Sequence, residues 1–187
     1  MAIRTVDEYK ESLRDGRRVY IMGEKVEDVT THPVLGPACD TVGAAYELCA
    51  SEDPEIRDLY VASDPETGEP ISRYYITPHT REDLAVRSKM IQRSIELVGD
   101  LPFGRDIGTD CLNAAFVVAG RMGNGQYQQN VLNFLEYLRR NDLFTCGAVT
   151  CVKGDRSKEP ANQRHPDYYV HVVDKNKDGI VVRGAKA

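Results

Sequence analysis

The hydrophobic period of this chain changes once, near residue 143, and that change limits what it can fold into. Before it, apolar residues recur at helical spacing. In "QYQQNVLNFLEYLRRND", Val131, Phe134, Leu135 and Leu138 share one inward face. After it, "LFTCGAVTCV" is strand-like, and "YYVHVVDKNKDGIVVRGAKA" reads as a hairpin of two alternating strands folded at Asn176-Lys177-Asp178-Gly179. The pattern predicts a mainly α chain with a C-terminal β segment, an α+β class. Residues 1–142 form a helical domain with an early β-ribbon near 18–29, and 143–187 begin an incomplete β-domain. Three strands cannot cover the helices and also protect both edges, and a sheet usually holds about 4–6 strands. "IVVRGAKA" is therefore expected to be an interior strand whose sheet is completed by another chain or segment.

Local signals divide the helical part. Thr5 with Glu8 makes a capping box, and Gly16 is the expected stop. "RRVYIMGEKVEDV" reads as a ribbon folded at "GEK". In "CDTVGAAYELCAS", Val42, Ala45, Tyr46 and Cys49 fall on one helical face. "SEDPEIRDLYVASDPETGEPISRYYIT" reads as loop with turns at Asp64-Pro65 and Thr67-Gly68, and "ISRYYIT" as a short extended piece. Thr80 caps the next helix, with Asp83 three residues on and Leu84, Met90, Ile91, Ile95 and Val98 as its buried stripe. "LPFGRDIG" interrupts, and "TDCLNAAFVVAGRMG" follows as the most apolar helix, expected to be buried on several faces.

Composition narrows the class of function. The formal net charge is −5, which argues against a nucleic-acid or anionic-membrane surface as main partner. No run approaches the roughly 20 apolar residues of a membrane-spanning helix. The five cysteines are odd in number and scattered, and "MAIRTVDEYKESLRDGRR" has no apolar core. The expectation is a reducing cytoplasm without a disulfide framework. Cys146 and Cys151, four residues between them, read as two independent buried thiols rather than a metal knuckle. No two histidines have ligand-like spacing.

Two stretches carry candidate chemistry. In "LPFGRDIGTDC", Arg105 sits where a guanidinium clamps a carboxylate or phenolate. The competing reading makes Thr109 a helix cap and pairs Arg105 with a surface acid. In "CGAVTCVKGDR", Gly154 allows close backbone approach to a ring or phosphate, and Lys153 and Arg156 meet its charge. The competing reading is a polar turn at Asp155-Arg156.

"DGRRVYIMGEKVEDVTTHP" resembles the N-terminal signature of the 4-hydroxyphenylacetate 3-monooxygenase family, which also contains 4-hydroxybutyryl-CoA dehydratase. "LRRNDLFTCGAVTCVKGDR" and "DGIVVRGAKA" look similar to the dehydratase branch. The resemblance implies the N-terminal helical domain of an acyl-CoA-dehydrogenase-like fold plus the first strands of its β-domain. It implies FAD, used in reduced form as a co-substrate. It also implies partners: a chain or segment carrying the rest of the β-domain and a C-terminal helical bundle, a flavin reductase, and further copies in a homo-oligomer. Arg105 matches the arginine that contacts the aromatic substrate, while Thr109 stands where the family has a tyrosine. Gly147 takes the place of a histidine that assists deprotonation. Gly147, Thr150, Lys153, Gly154, Asp155 and Arg156 match positions lining the flavin. Pro102 and Asp106 replace two cysteine ligands of the dehydratase cluster, so no iron–sulfur cluster is expected. The implied function is an FADH2-using monooxygenase acting on an aromatic or related substrate other than the usual one. The alternatives are a dehydratase-like acyl-CoA enzyme without the cluster, or a non-catalytic docking subunit.

Overall fold

The computed structural model describes residues 3–99 and 105–186. They fall into two compact units that divide between Cys146 and Gly147.

The first unit is helical with two small hairpins. Helix α1 (Val6–Ser12) starts at the Thr5–Glu8 capping box, in which the Thr5 hydroxyl accepts from the Glu8 amide and the Glu8 carboxylate accepts from the Thr5 amide. It ends at Leu13, ahead of Gly16, which serves the following turn with φ +82°. Strands β1 (Val19–Ile21) and β2 (Glu24–Val26) pair antiparallel across Met22-Gly23, both at positive φ, so Glu24 and Lys25 belong to β2 and not to the turn expected at "GEK". This is the backbone that a tight two-residue hairpin demands. Helix α2 (Gly36–Cys49) buries Ala45, Tyr46, Leu48 and Cys49.

The stretch expected to be loop contains a helix. Asp53 accepts from the Glu55 amide, Pro54 occupies the first turn, and α3 runs Pro54–Tyr60. An Asp cap followed by Pro is a strong start signal in a segment too short to show amphipathic period. β3 (Val61–Ser63) then pairs with β4 (Pro70–Ser72) around the expected turn, and a single 3-10 turn covers Arg73–Tyr75.

Helix α4 (Arg81–Val98) has the expected Thr80–Asp83 cap and ends at Gly99 with φ +74°. Its buried face differs from the expected stripe. Arg87, Met90 and Ser94 are buried, whereas Leu84 and Ile95 are exposed. Two polar residues on the inner face satisfy groups that an apolar stripe would leave unpaired. Tyr60 donates to the Met90 carbonyl at 2.9 Å with Ser94 Oγ 2.8 Å away, and Tyr74 lies 3.1 Å from the same hydroxyl. These tyrosines, with Leu48, Cys49 and Met90, form the core against which Ile3, Ile56, Leu59, Val61 and Val98 pack.

Helix α5 (Arg105–Arg121) and helix α6 (Gly125–Asn141) pack on each other. The expectation that α5 is buried on several faces does not hold: Val117 and Val118 are half exposed, and the buried positions are Arg105, Asp106, Gly108, Thr109 and Ala119. In α6, Leu138 is buried while Phe134 faces out. Among the described residues no helix is long and apolar enough to cross a membrane.

In the second unit, β5 (His171–Asn176) and β6 (Gly179–Arg183) form the expected hairpin, with a register shift between Val172 and Asp174. The stretch 143–152, expected to be a strand, joins no ladder among the described residues. Its alternation is real, but a strand exists only where a neighbour accepts its backbone groups.

Candidate functional site

The first turn of α5 brings a set of polar groups into the interior of the first unit. Arg105 is wholly buried. Its Nη2 donates to a carboxylate oxygen of Asp142, and its Nη1 donates to Ser72 Oγ at 3.2 Å. The guanidinium carbon lies 4.1 Å from the ring centre of Tyr46, with Tyr74 and Tyr75 at 5.7 and 5.8 Å. Burial works against the charge, but the Asp142 carboxylate and the surrounding Tyr75, Cys49 and Tyr46 more than offset it, so the guanidinium is held above its ordinary value.

Asp142 closes α6 in the left-handed region at φ +43°, a conformation that Asp adopts more readily than most residues. Its second carboxylate oxygen accepts from the Arg4 amide at 3.0 Å, and its carbonyl accepts from the Tyr46 hydroxyl at 3.0 Å. One residue thus joins the segment before α1 to α2, α5 and α6.

A second arginine, absent from the sequence expectations, braces the same turn. Arg87 donates to the carbonyls of Tyr74 (3.2 Å) and Asp106 (3.0 Å) and to Thr109 Oγ1 (2.7 Å), and pairs with Asp110 at 2.9 Å. Its spacing with Met90 and Ser94 on one face was the available signal. Thr109 is not a cap: its hydroxyl turns back on the Arg105 carbonyl at 2.6 Å. Asp106 is buried, accepts from the Ile107 amide at 2.8 Å, and is raised above the usual carboxylate range by burial, with Arg87 working against the shift. Burial also pushes the Cys49 thiol up, so it is a neutral core group beside Arg105. Pro102 lies outside the described residues. Among those described, no group of three or more His, Cys, Asp or Glu is placed to hold a metal ion.

The remaining candidates lie in the second unit. Gly147, Thr150, Lys153, Gly154, Asp155 and Arg156 are all exposed, on an irregular stretch. Gly154 has φ +50°, and a Cβ there would sit 2.3 Å from Gln163 Oε1 and 2.8 Å from Tyr168 Cδ2. The close approach it permits is to its own loop. Gln163 accepts from the Asp155 amide at 2.9 Å and donates to the Asp155 and Lys158 carbonyls. Hydrogen bonds from the Ser157 hydroxyl and amide hold the Asp155 carboxyl below its ordinary range, and Lys158 lies 3.4 Å away. Asp155 is thus committed to the turn, while Lys153 and Arg156 present their charges outward. Of the paired cysteines, Cys146 is exposed and Cys151 half-buried, which corrects the expectation that both are buried.

The family model described as "4-hydroxyphenylacetate 3-hydroxylase N terminal" matches residues 5–187. The chain belongs to this family. Within it, the chain is 37% identical to the 4-hydroxybutyryl-CoA dehydratase/vinylacetyl-CoA-Δ-isomerase of Clostridium aminobutyricum, over 99% of this chain and 38% of that one. It is 34% identical to the 4-hydroxyphenylacetate 3-monooxygenase oxygenase component of Thermus thermophilus, over 98% of this chain and 37% of the relative. Among solved structures, an oxygenase component of 4-hydroxyphenylacetate 3-monooxygenase, complexed with FAD and 4-hydroxyphenylacetate, superposes with a TM-score of 0.80. It is 34% identical and covers 98% of this chain and 38% of that one. An oxygen-tolerant archaeal 4-hydroxybutyryl-CoA dehydratase from N. maritimus gives the same TM-score at 33% identity. The chain therefore spans about 38% of the length of the relatives it matches, and its own described residues are mainly helical, as the sequence pattern predicts.

Proposed function

We propose that this member of the hydroxylase N-terminal family is the N-terminal part of a flavin-dependent oxidoreductase, an FADH2-using monooxygenase acting on an aromatic or related substrate. The observation that carries the reading is the likeness, over 98% of the chain, to an oxygenase component complexed with FAD. In this reading the fold is the front of an acyl-CoA-dehydrogenase-like scaffold, whose helical domain covers 1–142 and whose β-domain begins at 143. The remainder is supplied by a further chain or segment, within a homo-oligomer served by a flavin reductase.

The exposed residues of the second unit fit one side of a phosphate-bearing cofactor. Lys153 and Arg156 offer charge, Thr150 a hydroxyl, and Gly147 an exposed backbone without a side chain, while Gly154 lets the loop fold on Gln163 and Tyr168. Asp155 would shape the loop rather than touch the cofactor. Bound FAD would supply the two-electron chemistry that side chains lack. Arg105 would act as substrate clamp only by exchanging Asp142 for the substrate's anionic group, since that carboxylate now takes its Nη2 donor. Thr109, facing Arg87 and the Arg105 carbonyl, leaves no phenolic hydroxyl at the family's tyrosine position, and Gly147 leaves no imidazole. Both changes favour a substrate other than 4-hydroxyphenylacetate.

The test is reconstitution with FAD, with and without a chain supplying the remaining length of the relatives, read as flavin absorbance after gel filtration. Flavin should be retained only in the complemented sample. Its absence there would sink the reading.

A further inference from the structure

Cys151 is the one thiol of the second unit, and the flavin reading leaves it without a task. Lys186 Nζ lies 2.9 Å from its sulfur and 3.0 Å from the Val149 carbonyl. The approach is held by backbone as well as by side chain. The Ala185 amide donates to the Asp167 carbonyl at 2.9 Å. Gly184, at φ +145°, lies so close to Tyr169 and Val170 that a Cβ would fall 2.4 Å from the Tyr169 carbonyl oxygen. Any side chain at 184 would push the segment away and take Lys186 with it. Cys151 is half-buried and Lys186 exposed, so a small oxidant reaches the pair.

We propose that Cys151 and Lys186 form an oxidative modification site, in which a hydroperoxide of hydrogen-peroxide type joins the sulfur covalently to the lysine nitrogen. Peroxide oxidises the thiol by two electrons, giving a sulfenic acid and one water. The ammonium gives up a proton to solvent, and the amine lone pair attacks the sulfur. The S–O bond breaks as the S–N bond forms, and hydroxide leaves as water with a proton from the nitrogen. One peroxide is consumed and two waters are made. The product is a sulfenamide that ties the exit of β6 to the stretch carrying Thr150 and Lys153. Attack at sulfur by one thiol frees the lysine amine and leaves a mixed disulfide on Cys151, and a second thiol releases the cysteine as the two reductant thiols join in a disulfide. The site needs no bound cofactor, so it stands or falls independently of the flavin reading.

The purified chain is treated with hydrogen peroxide, digested without reductant and mapped by mass spectrometry. The expected product is a peptide pair linking Cys151 to Lys186, short of the two hydrogens lost in oxidation and separated by dithiothreitol. Lys186→Arg keeps the charge but lacks the primary amine, and should lose the pair while Cys151 still oxidises. Cys146→Ser should keep it. Recovery of Cys151 only as sulfinic or sulfonic acid, or as a disulfide with Cys146, overturns the proposal. So does an unchanged pair in Lys186→Arg.

Discussion

Arg105 on α5 donates to the carboxylate of Asp142 at the end of α6, and neither side chain reaches solvent. Breaking one side of such a pair leaves a buried charge without its partner. Asp142→Asn keeps a residue that tolerates the left-handed backbone but removes the charge. It should cost about 3–5 kcal/mol in urea unfolding. Arg105→Met combined with Asp142→Asn should cost less than Asp142→Asn alone, because no orphan guanidinium remains. A double variant weaker than both singles would show that the pair is not the organising contact.

Asp106 responds to pH in the opposite sense to an ion-paired acid. Burial raises its carboxyl, so the folded chain binds more protons than the unfolded chain between the ordinary carboxylate range and the raised value. Its contribution to stability is therefore best in acid and declines as pH rises through that window. Asp106→Asn keeps an acceptor for the Ile107 amide and removes the penalty. Thermal melts should show the variant gaining over the parent at neutral pH and losing that gain in acid. A gain independent of pH would point to some other cause.

Gly108 allows α5 to lie against Thr145. A Cβ at 108 would meet Thr145 Oγ1 at 1.9 Å and its Cβ at 2.7 Å. Although alanine favours helix, Gly108→Ala should destabilise by about 1–3 kcal/mol through overpacking. Thr145→Gly in the same chain should recover part of the loss. Denaturation midpoints of the parent, the single and the double variant decide it.

Lys153 and Arg156 supply the charge in the proposed flavin half-site. Lys153→Ala and Arg156→Ala should each weaken FAD retention in the complemented protein by roughly tenfold, the worth of one charge-assisted contact. Their melting temperatures should stay near the parent's, since both side chains are exposed. Equal flavin retention in parent and both variants would remove them from the site.

What was legible in the sequence was what neighbours in the chain decide. The capping boxes at Thr5 and Thr80, the early ribbon (with its turn one residue earlier than expected) and the β5–β6 hairpin follow from local hydrogen bonding and backbone preference. Helix α3 was equally local, but its seven residues are too few for periodicity, and only Asp53-Pro54 marks it. The apolar pattern of α4 was misleading because periodicity counts hydrophobic residues, whereas the inner face had to supply Arg87 and Ser94 to buried carbonyls and tyrosine hydroxyls.

The sequence by itself determined the capped starts of α1 and α4, the β5–β6 hairpin and the charged loop at 153–156, because each rests on spacing within a few residues. Only the tertiary structure decided that Arg105 faces Asp142, thirty-seven positions away, inside a cage of three tyrosines. It also decided that Asp155 is taken up by its own turn and that Lys186 meets Cys151. A charge's partner is set by which elements pack together. No local pattern encodes that distance.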